Sequence, residues 1–252
     1  MLAPMTASDP TSAAAPAVTH PPLRVVWQDA DVVAVSKPSG LLVHRDEHHR
    51  DAPAALQVVR DQTGRHLYPF HRLDRATSGI LLFAFSRDAA AAWQAALSAA
   101  DAHKDYTALV RWPGSVPGLG DAWNCEQDLS DDKGVPRASR SEFVLVERFR
   151  HCALVGCRIF TGRYHQIRRH ANLSGRHVIG DTTHGKGRIN ALYRERYELH
   201  RLFLHLHRVR LQHPATGLRL ELSDPMPPEL DAVLARLRGE AAGGPSGAPE
   251  TA

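Results

Sequence analysis

The chain has 252 residues, 43% apolar and 23% charged, which is an ordinary balance for a globular protein and room for one large domain or two small ones. No apolar run nears the roughly 18 residues of a membrane span, and the three cysteines (Cys125, Cys152, Cys157) make no paired framework. A membrane-spanning helix and a disulfide scaffold are therefore not expected, and the cytoplasm is the expected compartment. The formal charge of +4 hides an asymmetry: residues 158–219 hold 13 Lys and Arg against Asp181, Glu195 and Glu198, a net of +10, so the remainder is net acidic. Such a block fits a polyanionic partner or a solvated charged face, and charge alone leaves both open.

Residues 1–22, rich in Ala, Pro, Ser and Thr, have neither a basic leader nor an apolar stretch and are expected to be a disordered tail. Residues 23–37 predict two short strands around a turn at Asp29 to Asp31. KPSG at 37–40 is a turn, 54–63 a helix, and GILLFAF at 79–85 a buried strand. The Ala-rich segment 87–101 predicts a helix with Trp93 and Leu97 in its buried stripe. HKDYTALVR at 103–111 is a strand, 112–123 a Pro- and Gly-containing loop, and 141–149 and 152–160 two further strands. The segment 164–175 predicts a helix ending at Gly175, HVIGD at 177–181 a short strand, and 181–200 an exposed loop. Strands at 202–212 and 218–222 and an amphipathic helix at 227–239 complete the domain, with a second tail at 240–252. The sum is one α+β domain over 23–239, built on a mixed, mostly antiparallel sheet without βαβ rhythm.

HRLDRATSG at 71–79 crowds His71, Arg72, Asp74 and Arg75 beside a core strand. Charges there are costly unless paired or functional. The flanking arginines favour a charged Asp74, and a charged aspartate at a cleft edge is a candidate nucleophile, although a turn-capping aspartate fits the same pattern.

The segment also resembles the catalytic signature of the RluA-type pseudouridine synthases. KPSG at 37–40 is similar to that family's first motif, KDYTALV at 104–110 to its tyrosine motif, and TGRYHQIRRH at 161–170 to its arginine motif. IGDTTHG at 179–185 and RLFLH at 201–205 follow in the same order. VHR at 43–45, HRLDR, HQIRRH and the His184–Gly185 pair resemble the tRNA branch of the family, which acts on uridine 65. Thr183 departs from the lysine expected there, which bears on a phosphate contact rather than on the chemistry.

The resemblance implies a pseudouridine-synthase fold with a central cleft and a cofactor-free isomerase. It implies Asp74 as the nucleophile, Tyr106 stacking on the uracil and helping remove a proton, and Arg168 pairing with Asp74. Arg72 would fill the gap left by the extruded base, and Ile167 would form an apolar wall. His71 is read as structural. Arg163, Arg169, Arg176, Lys186 and Arg188 are candidate phosphate contacts. The implied partner is tRNA, or rRNA as the alternative, with no membrane, no obligate protein partner and a monomeric chain.

A metal site at His48 with His49, or among His200, His205 and His207, is not expected, since no pair sits in an HExxH pattern and Cys152 and Cys157 have no second cysteine pair. A metal-independent phosphatase built on Asp74 would need a second aspartate at position 76, which is Ala76, and no glycine-rich phosphate loop is present for ATP or NAD. A non-catalytic RNA-binding protein would share the basic charge but would have no use for Asp74, Tyr106 and Arg168 together.

Overall fold

The computed structural model describes residues 20–45, 47, 49–113 and 120–242. Residues 1–19, 46, 48, 114–119 and 243–252 lie outside them, and with them most of the two expected tails, His48 and part of the expected loop at 112–123. The first hairpin forms β1 (Val25–Gln28) and β2 (Val32–Lys37), turned where Asp29 Oδ1 accepts from the N–H groups of Asp31 and Val32. Helix α1 (Ala55–Thr63) ends at Gly64 in the left-handed conformation. Next come β3 (Tyr68–Pro69) and the wholly buried β4 (Ser78–Ala84). Helix α2 (Arg87–Ser98) is capped by Ser86 and buries Ala89, Trp93 and Leu97, one helical turn apart.

The chain continues through β5 (His103–Arg111), β6 (Ala122–Cys125), β7 (Leu129–Ser130), β8 (Pro136–Arg137), β9 (Ser141–Arg148) and β10 (Cys152–Ile159). Helices α3 (Gln166–Leu173) and α4 (Gly187–Tyr197), strands β11 (Leu204–Gln212) and β12 (Arg219–Ser223), and helix α5 (Pro228–Ala242) complete it. Ten strands form one sheet in the order β1-β2-β4-β11-β5-β10-β9-β6, with β12 paired to β11 and β3 to β4. Neighbours run antiparallel except β4 and β11. This is the expected α+β fold with a mixed, mostly antiparallel sheet.

Two apolar layers hold the sheet. One joins α1 and α2 to it through Val59, Trp93, Ile80 and Leu82, and the other packs α4 and α5 through Tyr193, Tyr197, Leu230 and Leu234 onto Leu109, Leu154 and Phe203. Each fully buried large side chain among them contributes roughly 1.5–3 kcal/mol.

The centre of the sheet places the chemistry. Leu206 of β11 stands opposite Gly79 of β4 on one side and Tyr106 of β5 on the other. Gly79 has φ +127°, and a Cβ there would run into the Leu206 backbone. Only glycine admits this approach. It sets the segment holding Asp74, which feeds directly into β4, one strand away from β5, which carries Tyr106.

Three expectations are corrected. Residues 181–200 are not a bare loop: α4 runs through them and buries Asn190, Tyr193 and Tyr197. Its inner face is made of tyrosines, whose rings meet at 5.1 Å, instead of the aliphatic residues that signal a helix. HVIGD forms only an isolated bridge, Val178 to Val110, before Gly180 at φ +80° turns the chain away. Helix α5 continues to Ala242, three residues past its expected end, and Tyr197 and Arg196 of α4 both bond Glu240 in that last turn.

Candidate active site

Asp74 lies in the turn before β4, where its carbonyl accepts from Thr77 N–H at 3.0 Å. The KPSG turn clamps the backbone just after it. Gly40 N–H donates to the Arg75 carbonyl at 2.8 Å, and Ser39 Oγ donates to the Ala76 carbonyl at 2.7 Å. Lys37, fully buried, donates from Nζ to the carbonyls of Pro38 (2.9 Å), Leu41 (2.8 Å) and Arg75 (3.2 Å). Burial, with Arg201 nearby, pushes its pKa down to about 7.

Arg168 projects from the first turn of α3 and is buried. Its Nε and Nη2 donate to Asp181 at 2.7 Å each, and Nη1 donates to Asp74 Oδ2 at 3.3 Å. Burial opposes charge on both Arg168 and Asp181, but their pairing prevails. The arginine is raised above its ordinary value, and the Asp181 carboxyl is lowered to about 2 with help from the backbone N–H groups of His184 and Thr183. The Asp181 loop is seated by Gly180, where a Cβ would meet the Arg201 carbonyl.

The TGRYH segment before α3 is held by Gln166, the first residue of the helix. Its Oε1 accepts from Thr161 Oγ1 (2.7 Å) and Arg163 N–H (3.0 Å), and its Nε2 donates to the Arg140 carbonyl and Ser141 Oγ. His165 follows at φ 52°, with its ring stacked on Tyr164 at 3.7 Å. Burial, against the pull of Asp74, lowers the His165 imidazole to about 4, so it is neutral at physiological pH.

Asp74, Tyr106, Arg168, Arg72, Ile167 and Arg163 line one cavity of about 440 Å³, with Leu42, Thr77, Tyr164, His165 and Leu204. That volume falls in the roughly 300–1,000 Å³ typical of small-molecule sites. Tyr106 and Ile167 are buried and supply apolar wall, while Arg72 and Arg163 are exposed at its edge. Burial in that wall, then the nearby Asp74 carboxylate, push the Tyr106 phenol well above its ordinary range. The phenol therefore meets a substrate protonated. His71, next to Arg72 in the chain, is buried and lowered to about 3 by that burial.

Four residues expected to bind phosphate lie elsewhere. Arg169 lines a separate cleft with Asp128, Ser130, Asn172 and His184, and Lys186 and Arg188 are exposed at the start of α4. Arg176 is not a surface cation. It is 2% exposed, with its guanidinium 3.5 Å from the Trp112 ring centroid and 4.5 Å from that of Trp123. Sequence reading missed Lys37, His165, Asp181 and His184 as parts of the site. For Asp181 a signal existed, since it stands among 13 cations with only two other acids.

Residues 31–173 match the RNA pseudouridylate synthase family, which covers more than half of the chain. The chain belongs to this family. It is 36% identical over 219 residues to tRNA pseudouridine synthase C of Vibrio parahaemolyticus serotype O3:K6, covering 79% of this chain and 88% of that protein. It is 36% identical over 222 residues to ribosomal large subunit pseudouridine synthase C of Vibrio vulnificus, covering 85% of this chain and 69% of that one. Among solved structures, human RNA pseudouridylate synthase domain containing 4 aligns with a TM-score of 0.69 at 21% identity, over 85% of this chain and 93% of that one. Human RNA pseudouridylate synthase domain containing 1 aligns at 0.66 and 23% identity, over 84% and 87%. The fold is that of these proteins, and the protein is a pseudouridine synthase, an isomerase.

Proposed function

We propose that this pseudouridine synthase isomerises uridine 65 of tRNA, with Asp74 as its nucleophile. The observation that carries the reading is the Asp74 carboxylate, paired with Arg168 and facing the same cavity as Tyr106. Asp74 attacks the target nucleotide and the bond from the ribose to N1 breaks. The uracil turns and rejoins the ribose through C5, and the bond to Asp74 breaks, returning the free carboxylate. The C5 proton leaves and N1 gains one, so reactant and product are isomers and no cofactor is consumed. Tyr106 stacks on the uracil, and for the phenol to take up the C5 proton it must first hand on its own. Ile167 adds apolar wall. Arg72, at the cavity edge, fills the stack vacated by the extruded base, an extrusion that costs a few kcal/mol.

The tRNA substrate is supported by the named relatives, because the match spans 88% of the tRNA enzyme and 69% of the rRNA enzyme. An rRNA uridine is the second reading, kept open by the equal 36% identity to the latter. The catalytic domain spans 23–242, the expected 23–239 extended by the last turn of α5, and the protein acts as a monomer in the cytoplasm. Arg163, Arg169, Lys186 and Arg188 hold phosphates and position the RNA without reading its bases.

The test is incubation of the purified chain with unmodified tRNA transcripts and with rRNA fragments, followed by chemical mapping of pseudouridine. Modification at tRNA position 65 is expected. Modification of rRNA alone would move the substrate to the second reading, and modification of neither would overturn both.

A further inference from the structure

Asp74 has a second neighbour besides Arg168. Nε2 of His165 lies 3.8 Å from Oδ2, the same oxygen that Arg168 approaches at 3.3 Å. Both partners converge on one side of the carboxylate. On its other edge the imidazole meets His184, with Nδ1 3.0 Å from His184 Nε2 and the rings nearly perpendicular at 84°. His184 is itself anchored, since its backbone N–H donates to Asp181 Oδ1 at 2.9 Å. Asp181 thus organises both neighbours of Asp74, Arg168 through two direct bonds and His165 through His184.

We propose that His165 is a positioning residue for Asp74, holding Oδ2 together with Arg168 so that Oδ1 is the attacking oxygen, and that His184 sets the tautomer in which it does so. A carboxylate only accepts, so the proton of a neutral His165 sits on Nε2 and points at Asp74. Nδ1 is then an acceptor, and His184 Nε2 must donate to it. The groups around the imidazole are Asp74, Arg168, His184 and Asp181, and burial keeps the ring neutral among them. Stacking on Tyr164 fixes its plane. At 3.8 Å the contact with Asp74 is longer than a hydrogen bond, and such contacts tighten when a substrate fills the site. The left-handed backbone at His165 is one that histidine and asparagine adopt more readily than most residues.

This inference rests on the Asp74 reading. The test measures single-turnover pseudouridine formation and RNA affinity on the full chain. Asp74→Asn serves as the control for the Asp74 reading itself. His165→Phe keeps a ring but no donor, and His165→Gln can place an amide N–H near the former Nε2. His165→Asn suits the backbone but stops short of Asp74, and it replaces the Phe variant should that one not fold. Phe and Asn are expected to slow the step by roughly 10–100-fold with affinity changed by less than about twofold, and Gln to recover to within about fivefold. His184→Phe is expected to slow it by roughly 3–10-fold and to add nothing on top of His165→Phe. A Phe variant within about twofold of wild type, a Gln variant as slow as Phe, or rate and affinity falling together would overturn the inference. Should Asp74→Asn match wild type, the Asp74 reading fails and the inference with it. Loss in Asp74→Asn with full activity in the His165 variants overturns the inference alone.

Discussion

Arg168 gives its two-pronged grip to Asp181, not to Asp74. Both bonds to Asp181 are 2.7 Å, and Asp74 receives only the remaining nitrogen at 3.3 Å. The nucleophile candidate is therefore aligned by a guanidinium that is itself locked from behind.

Asp181→Asn should unlock that guanidinium. Breaking a buried pair costs about 3–5 kcal/mol, because Arg168 keeps its charge without its main partner. The lowered Asp181 pKa contributes stability that is present above its unfolded value of 3.8 and is lost as pH falls through about 2. Acid unfolding curves of wild type and Asp181→Asn should therefore converge across that window. Parallel curves would contradict the assignment.

Arg168→Ala should reduce turnover by roughly 100-fold or more while RNA affinity falls by less than about threefold. Single-turnover rates and filter binding separate the two. Equal losses would make Arg168 a phosphate contact instead.

Arg163 and Arg176 should respond oppositely. Arg163→Ala, at the cavity edge, should lower the slope of log affinity against log salt by about 0.7–0.9 with little change in stability. Arg176→Ala should leave the slope unchanged and lower stability by about 2–4 kcal/mol, since it removes a cation packed on Trp112 and Trp123. Salt titrations and chemical denaturation check both.

Lys37→Met should change how stability depends on pH. Lys37 titrates near 7 in the fold and near 10.5 unfolded, so between those values the unfolded chain holds the extra proton and stability rises with pH. The variant should lose this rise. An identical slope in both proteins would show that Lys37 remains charged in the fold.

Gly79→Ala should lower stability by about 3 kcal/mol or more, through its positive φ and the collision with Leu206, and should move Asp74 relative to Tyr106. Denaturation midpoints and turnover are expected to fall together. A variant of unchanged stability would contradict the close approach of β4 and β11.

Much of this architecture is written in local pattern. Strand β5 was legible from end to end, His103 to Arg111, because its β-formers sit between a helix and a Pro-Gly loop. The grouping of Asp74, Tyr106 and Arg168 followed from motif order, and the cavity gathers all three. What was not legible depends on the tertiary environment. Helix α4 hides its apolar face in Tyr193 and Tyr197, which in sequence look like surface residues. Counting charges makes Arg176 a phosphate ligand, because nothing local announces the tryptophans 64 and 53 positions earlier that bury it. His165 reads as a helix residue until its left-handed backbone turns the ring toward Asp74.

In the proposed mechanism the Asp74 carboxylate forms the bond that starts the isomerisation. The most direct test of that step is pseudouridine formation by Asp74→Asn under single-turnover conditions, on an RNA that wild type modifies, with RNA affinity measured in parallel. Asn keeps the size of the side chain and can still lie beside Arg168, so the predicted result is undetectable pseudouridine with affinity close to wild type. Turnover within about tenfold of wild type would contradict the account, because an amide oxygen is too weak a nucleophile to replace a carboxylate at that rate.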